Sequence, residues 1–333
     1  MMPRQRLSWF RRLALIGALL AAAVIVLGAW VRLTDAGLGC PDWPGCYGHF
    51  YPQAGHDYGR AVREMVHRYC AAALGLVICA LLVFAVVNRR QRGQPLAPVL
   101  ALFVVVCLQG SLGAFTVTML LKPLIVTLHL LGGLSILGLL WWLSLEPQRR
   151  EPSAKEKKMR RLGIVGAAVL TLQIALGGWT STNYAAVACP DFPTCQGLWW
   201  PSMDFRDAFV LSRGLEVDYE GGVLGQPARA AIHVTHRLGA LIAGSILLCL
   251  GAWTLLGRVG GRVRVAGGLL LLAVLAQISI GIATVRWGVP LALATLHNAG
   301  AALLVIAMAT LLRALWPAPS LGMLPLGGGD ATR

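Results

Sequence analysis

Charge is scarce in this 333-residue chain: Asp, Glu, Lys and Arg together supply 13% of it. Soluble domains carry roughly 25%, so the pool is too small to cover a water-exposed surface. Acids are scarcer than bases, 14 against 29, which leaves a net charge of +15. A signal-peptide cleavage site is also missing. The first apolar run is followed by Trp30-Val31-Arg32 instead of small residues, so it reads as a retained span. Nor does the chain open on a long Ser- and Arg-rich leader of the mitochondrial kind, which favours a bacterial cytoplasmic (inner) membrane.

Apolar sequence is abundant, at 57%, and it gathers into runs of about 20 residues, enough to cross a hydrocarbon core of roughly 30 Å as helix. The runs fall at 13–31, 65–87, 96–120, 124–143, 162–184, 231–256, 265–285 and 291–312. In lipid every backbone polar group must be bonded within its own segment, so helices are expected rather than strands. The fold class is therefore an all-α integral membrane protein of eight transmembrane helices. Basic residues cluster in alternate loops. Arg4, Arg6, Arg11 and Arg12 precede span one, and Arg89, Arg90 and Arg92 follow span two. Arg149, Arg150, Lys155, Lys157, Lys158, Arg160 and Arg161 separate spans four and five, and Arg258, Arg262 and Arg264 separate six and seven. Threading puts all of these on one side, which makes both termini cytoplasmic. Because the cations belong to short loops, they argue against a nucleic-acid partner. The lipid bilayer is the partner they imply.

The chain repeats itself. Cys40-Pro41-Asp42-Trp43-Pro44-Gly45-Cys46 after span one returns as Cys189-Pro190-Asp191-Phe192-Pro193-Thr194-Cys195 after span five, five of seven positions being identical. His67-Arg68 matches His236-Arg237, Gln109 to Gly113 matches Gln277 to Gly281, and His129 matches His297. The loops are 149 residues apart and the later pairs 168 or 169, so about 20 extra residues sit in the second external loop, around 203–225. Two four-helix bundles in a parallel repeat, related by a pseudo-two-fold axis along the membrane normal, are expected. The boundaries are 1–145 for the first half, 146–161 for a basic cytoplasmic linker, 162–316 for the second half and 317–333 for a flexible cytoplasmic tail. Small residues beside Gln109 and Gln277 suit close helix packing.

Four histidines recur in both halves, and threading places His67, His129, His236 and His297 in the outer half of the membrane. One intramembrane histidine is commonly a packing residue. Two matched pairs on alternate helices suit an axial nitrogen from each side of an iron porphyrin. Zinc fits less well, since it wants three or four converging ligands. Arg68 and Arg237 follow two of the histidines, where haem propionates need cationic partners. The halves differ at one place: Glu64 stands three residues before His67, on the same helical face, while His233 holds the matching position before His236. A carboxylate beside a haem ligand can act as a base or stabilise positive charge, so reaction is assigned to the first half and electron transfer or structure to the second. The alternative for Glu64 is a salt bridge to Arg60, Arg63 or Arg68. Four loop cysteines, Cys40, Cys46, Cys189 and Cys195, face the oxidising side. Three pairings are open to them, the within-loop bonds being favoured by short separation and intervening prolines.

With Glu64-x-x-His67, three further histidines at these positions, a cysteine pair in each large external loop and eight duplicated spans, the chain resembles the haem A synthase family, in its cysteine-containing bacterial type. The resemblance covers all but the tail after Trp316. It implies an oxidoreductase acting on a CH group, which oxidises a methyl of haem O to the formyl group of haem A for terminal oxidases. It further implies that His67 and His129 hold the substrate haem with Glu64 catalytic, and that His236 and His297 hold a haem B cofactor. Haem O synthase, a terminal oxidase and an electron acceptor are the partners it points to, and a homo-oligomer is left open. Two readings from other classes use the same histidines: a di-haem b-type cytochrome working with quinone, and a haem carrier or assembly factor.

Overall fold

A computed structural model describes residues 3–53, 55, 57–91, 93–147, 151–214 and 217–316. Arg92, Arg149 and Arg150 of the basic loops, Leu215 and Glu216 of the second external loop, and the 317–333 tail lie outside the described residues. Among the described residues eight helices are long and apolar enough to cross a membrane. They are α1 (Pro3–Leu33), α2 (Tyr58–Val87), α3 (Leu96–Thr118), α4 (Pro123–Ser144), α5 (Ala154–Thr182), α7 (Gln226–Leu256), α8 (Gly261–Arg286) and α9 (Leu291–Leu315). A single turn, α6 (Phe205–Ala208), lies in the second external loop.

Each expected run falls on one of these helices. The helices α1, α2, α5 and α7 begin five to ten residues earlier than the apolar runs, because their first turns carry polar and charged side chains that hydropathy excludes and helix geometry tolerates. In α5 the extra turns start from a capping box, in which Ser153 accepts from the Glu156 amide and Glu156 reaches back to the Ser153 amide. The same helix ends at Thr182, short of the expected Tyr184, which sits in the left-handed region at φ 52°.

Ile78, Leu81, Leu102, Leu137 and Leu140 are fully buried at the centre of the first half. Leu250, Leu270 and Leu311 play that part in the second. Leu76, Leu172, Leu241 and Leu272 point outward with about two thirds or more of their surface exposed. An apolar outer belt of this kind is at home in lipid. Between the halves α4 packs on α5 and α9, and α1 packs on α9. Trp141 Nε1 donates to Thr310 Oγ1 at 2.8 Å, and Arg32 Nη2 donates to the Ser181 carbonyl at 2.8 Å. The extra residues of the second external loop cross to the first half. There Lys122 Nζ donates to Ser212 Oγ at 2.7 Å, the Tyr219 amide donates to the Leu120 carbonyl at 3.2 Å, and Arg60 pairs with Glu220.

Candidate functional site

The two repeated loops fold alike. Cys40 is bonded to Cys46 and Cys189 to Cys195, the within-loop pairing that short separation favoured. In the first loop Asp42 accepts from the amides of Tyr47 at 2.6 Å and Gly48 at 2.8 Å. Asp191 does the same in the second for Gln196 at 2.6 Å and Gly197 at 3.0 Å. The Gly48 amide, with that of Tyr47, holds the Asp42 carboxyl below the usual carboxylate range. For Asp191 the Thr194 hydroxyl leads the same effect.

Each loop is clamped by the arginine that follows a repeated histidine. Arg68 Nη1 donates to the carbonyls of Asp42 at 2.9 Å and Gly45 at 2.5 Å. Arg237 donates to the carbonyls of Asp191 and Thr194, each at 2.8 Å. In the first half the clamp includes Glu64, which is only 4% exposed. Glu64 Oε2 accepts from the Cys40 amide at 2.9 Å, and Oε1 pairs with Arg68 Nη2 at 2.5 Å. Of the three arginines named as partners for Glu64, Arg68 is thus the one that holds it. At the matching place in the second half His233 is equally buried.

The four histidines lie at one end of the bundle, about 9–15 Å inside the helix ends nearest the disulfide loops by the 1.5 Å rise per residue. His67 and His129 are within electrostatic range of each other, as are His236 and His297. Each imidazole rests against a glycine of the preceding helix. A Cβ on Gly28 would stand 2.9 Å from His67 Cε1, one on Gly113 3.3 Å from His129, one on Gly177 3.1 Å from His236, and one on Gly281 3.0 Å from His297.

Glutamines complete the arrangement at three of the four places. Gln109 Nε2 donates to the His129 carbonyl at 2.5 Å, Gln173 Nε2 to that of His236 at 3.0 Å, and Gln277 Nε2 to that of His297 at 3.0 Å. Each amide oxygen fills the space a Cβ would need at the glycine three residues past the histidine, namely Gly132, Gly239 and Gly300. The packing expected around Gln109 and Gln277 therefore includes a hydrogen bond to a histidine backbone. Gln173 escaped the sequence reading, although Gln-x-x-x-Gly followed by His-x-x-Gly occurs three times and would have disclosed it. These are hairpin repeats, finer than the duplication of halves.

The residues present fit a haem in each half. Two imidazoles from different helices converge in an apolar bundle. Among the described residues Nδ1 of His67, His129 and His297 is buried without a hydrogen-bond partner, and the glycines let each ring pack close against the neighbouring helix. Neutral imidazoles so placed are suitable axial ligands for an iron porphyrin.

Comparison with known proteins bears on what this site does. The family model COX15-CtaA, described as cytochrome oxidase assembly protein, matches residues 11–309. A haem A synthase of Shewanella oneidensis is 41% identical over 93% of this chain and 97% of its own. One from Shouchella clausii is 29% identical over 91% and 94% respectively, and one from Rhizorhabdus wittichii is 25% identical over 92% of each.

Proposed function

This chain belongs to the COX15-CtaA family, and from that membership we propose how it works as a haem A synthase, with haem O as substrate and haem A as product. The first half is the reacting half, with His67 and His129 holding haem O. The second half holds a haem B through His236 and His297, and that group supplies a one-electron relay to an acceptor. The observation that carries this division is the buried Glu64 beside His67, where the second half has His233.

Glu64 is the catalytic residue of this reading. Oxidising a porphyrin methyl to a formyl group passes electrons to the acceptor, releases protons and takes up one oxygen atom from a co-reactant, water or dioxygen. A carboxylate held one turn from the ligand histidine stabilises the positive charge that develops, or takes a proton. Arg68 pairs with that carboxylate and fixes its direction. Arg68 and Arg237 would also meet haem propionates with the donors that the loop carbonyls leave over.

As a multi-pass protein of a bacterial inner membrane, the chain would carry its disulfide loops on the periplasmic face and its termini in the cytoplasm. Haem O synthase and a terminal oxidase are its partners upstream and downstream. The reading is tested by extracting the pigments of the purified protein, made in a host that supplies haem O. Haem B together with haem O or haem A is expected. Haem B alone would sink the synthase reading and favour the di-haem cytochrome.

A further inference from the structure

The two disulfide loops end in tips that the histidine sites do not use. Past its second cysteine each loop turns back on itself. The backbones of Cys46 and His49 exchange hydrogen bonds, and those of Cys195 and Leu198 do the same. Gly48 and Gly197 take the positive φ of 75° and 73° that this turn requires. The residues that follow match in the two halves: Phe50-Tyr51-Pro52 returns, 149 residues later, as Trp199-Trp200-Pro201. Phe50 and Trp199 are each 77% exposed, and Tyr51 and Trp200 about two thirds. From Tyr47 to Pro52 and from Gln196 to Pro201, neither tip contains Asp, Glu, Lys or Arg.

The level of these tips follows from the helices that hold them. About twenty residues of helix cross a hydrocarbon core. Val87 and Leu256, the last residues of α2 and α7, are apolar and exposed, and Arg89 and Arg258 follow them closely, so they mark one edge of that core. Counting back about twenty residues from each reaches Arg68 and Arg237, the two arginines that clamp the loops. Side chains lean toward the start of their helix, which here is away from the core, so both guanidinium groups belong at headgroup level. The carbonyls they grip fix each loop at that level. The disulfides pack there too, Cys40 and Cys46 with Met65, and Cys189 and Cys195 with Val234. Exposed apolar side chains lead up to the same level from the belt below, Tyr69 and Val66 on α2 and Leu241 and Leu238 on α7.

We propose that the two tips are interfacial anchors, with Phe50, Tyr51, Trp199 and Trp200 set into the headgroup–acyl boundary of the phospholipid leaflet on the disulfide side. Such rings are at home there, with an apolar body and, in Tyr and Trp, a polar edge for the headgroups. Water would leave four large rings uncovered, and exposed apolar surface of that kind marks a contact. Lipid suits the repeat better than a protein partner does, because the tips belong to different halves and the bilayer surrounds both. The anchor also bears on Glu64. Its Oε2 accepts from the Cys40 amide, so lipid that fixes the depth of the first loop steadies the carboxylate as well.

Photocrosslinking distinguishes lipid, protein and water as what the tips meet. Benzoylphenylalanine is placed at position 50 or 199 of the full-length protein. The protein is illuminated in the membranes of the expressing cell and again in nanodiscs of phosphatidylethanolamine and phosphatidylglycerol, and mass spectrometry of the loop peptide identifies the adduct. Phospholipid adducts are expected at both positions in both settings, as with the probe at Leu76, which lies in the exposed belt of α2. Tyr58 is also an exposed aromatic, but it opens α2 roughly 15 Å beyond Arg68, and the probe there should give few lipid adducts. Tyr51→Asp beside the probe at 50, and Trp200→Asp beside the probe at 199, should cut the lipid adducts severalfold, since a carboxylate resists entry to the boundary. Both should leave the disulfides and the Leu76 adducts unchanged. Adducts to a protein in the cell membrane, or no adduct in either setting, at position 50 or 199 overturn the proposal. So do full lipid adducts in the Asp variants. Lipid adducts at Tyr58 as abundant as at the tips overturn the depth on which the proposal stands.

Discussion

Glu64 gives one carboxylate oxygen to the Cys40 amide and the other to Arg68, so a single side chain joins the disulfide loop to the helix that carries His67. Two consequences of replacing it can be told apart. Glu64→Gln keeps the shape and an acceptor for Cys40 but removes the charge. If the carboxylate acts on the reacting haem, conversion should fall roughly 10²–10³-fold, the typical cost of one well-placed electrostatic contact. Haem should still bind, and haem O or a partly oxidised form should accumulate in pigment extracts. Arg68→Gln loosens the same loop and also removes the partner that directs the carboxylate, so it should lower conversion as well. His233→Gln, at the matching place in the second half, should be milder. Equal haem A yields from Glu64→Gln and the unaltered protein would reduce Glu64 to a loop anchor.

The repeated loop is the element whose structure follows most directly from its sequence. Asp42 is positioned to accept the Tyr47 and Gly48 amides, and Gly48 takes the positive φ of 75° that the turn needs. Because those amides lower the Asp42 pKa, the ionised clamp contributes stability above the unfolded-state value. That contribution is lost as pH falls through the lowered value, below the ordinary 3.8. Asp42→Ala removes the clamp at every pH. It should speed hydrogen exchange at the Tyr47 and Gly48 amides roughly tenfold, the scale of a charged hydrogen bond near solvent. Unchanged exchange would mean that the disulfide alone orders the turn. At this scale the sequence was legible where a property is local. The eight apolar runs, the loop disulfides and the paired histidines are stated by spacing or composition. Helix starts were less so, since Arg60, Arg63 and Glu64 are polar residues in a helix that continues beyond its apolar run. The glutamine contacts were harder to read: they join residues on two helices, such as Gln173 and His236, and only the Gln-x-x-x-Gly and His-x-x-Gly pattern shared by three hairpins reports them.

Across the whole molecule the halves are tied together most unequally at the end that carries the disulfide loops. The turn between α3 and α4 places Leu120 and Leu121 at φ 48° and 59°, where the matching turn of the second half has Gly288 and Val289. A leucine in the left-handed region costs roughly 1–2 kcal/mol, so Leu120 is held in a conformation that suits glycine better. What holds it comes from the other half: the Tyr219 amide donates to the Leu120 carbonyl, and Tyr219 itself is buried. The next residue, Glu220, pairs with Arg60, two turns before His67 on α2. The extra residues of the second loop thereby fasten both α2 and the α3–α4 turn, the two elements that position His67 and His129. Both partners of the ion pair are only about 30% exposed, so the pair should contribute somewhat more than the 0–1 kcal/mol of a fully exposed one. Arg60→Glu or Glu220→Arg alone sets like charges against each other and should release the loop. Limited proteolysis between α6 and α7 should then accelerate severalfold, and first-half haem should be held less well, with haem B unaffected. The double charge swap restores the attraction and should restore both properties. If the double variant cleaves as fast as either single one, the loop is held by Tyr219 and Lys122 without help from the ion pair.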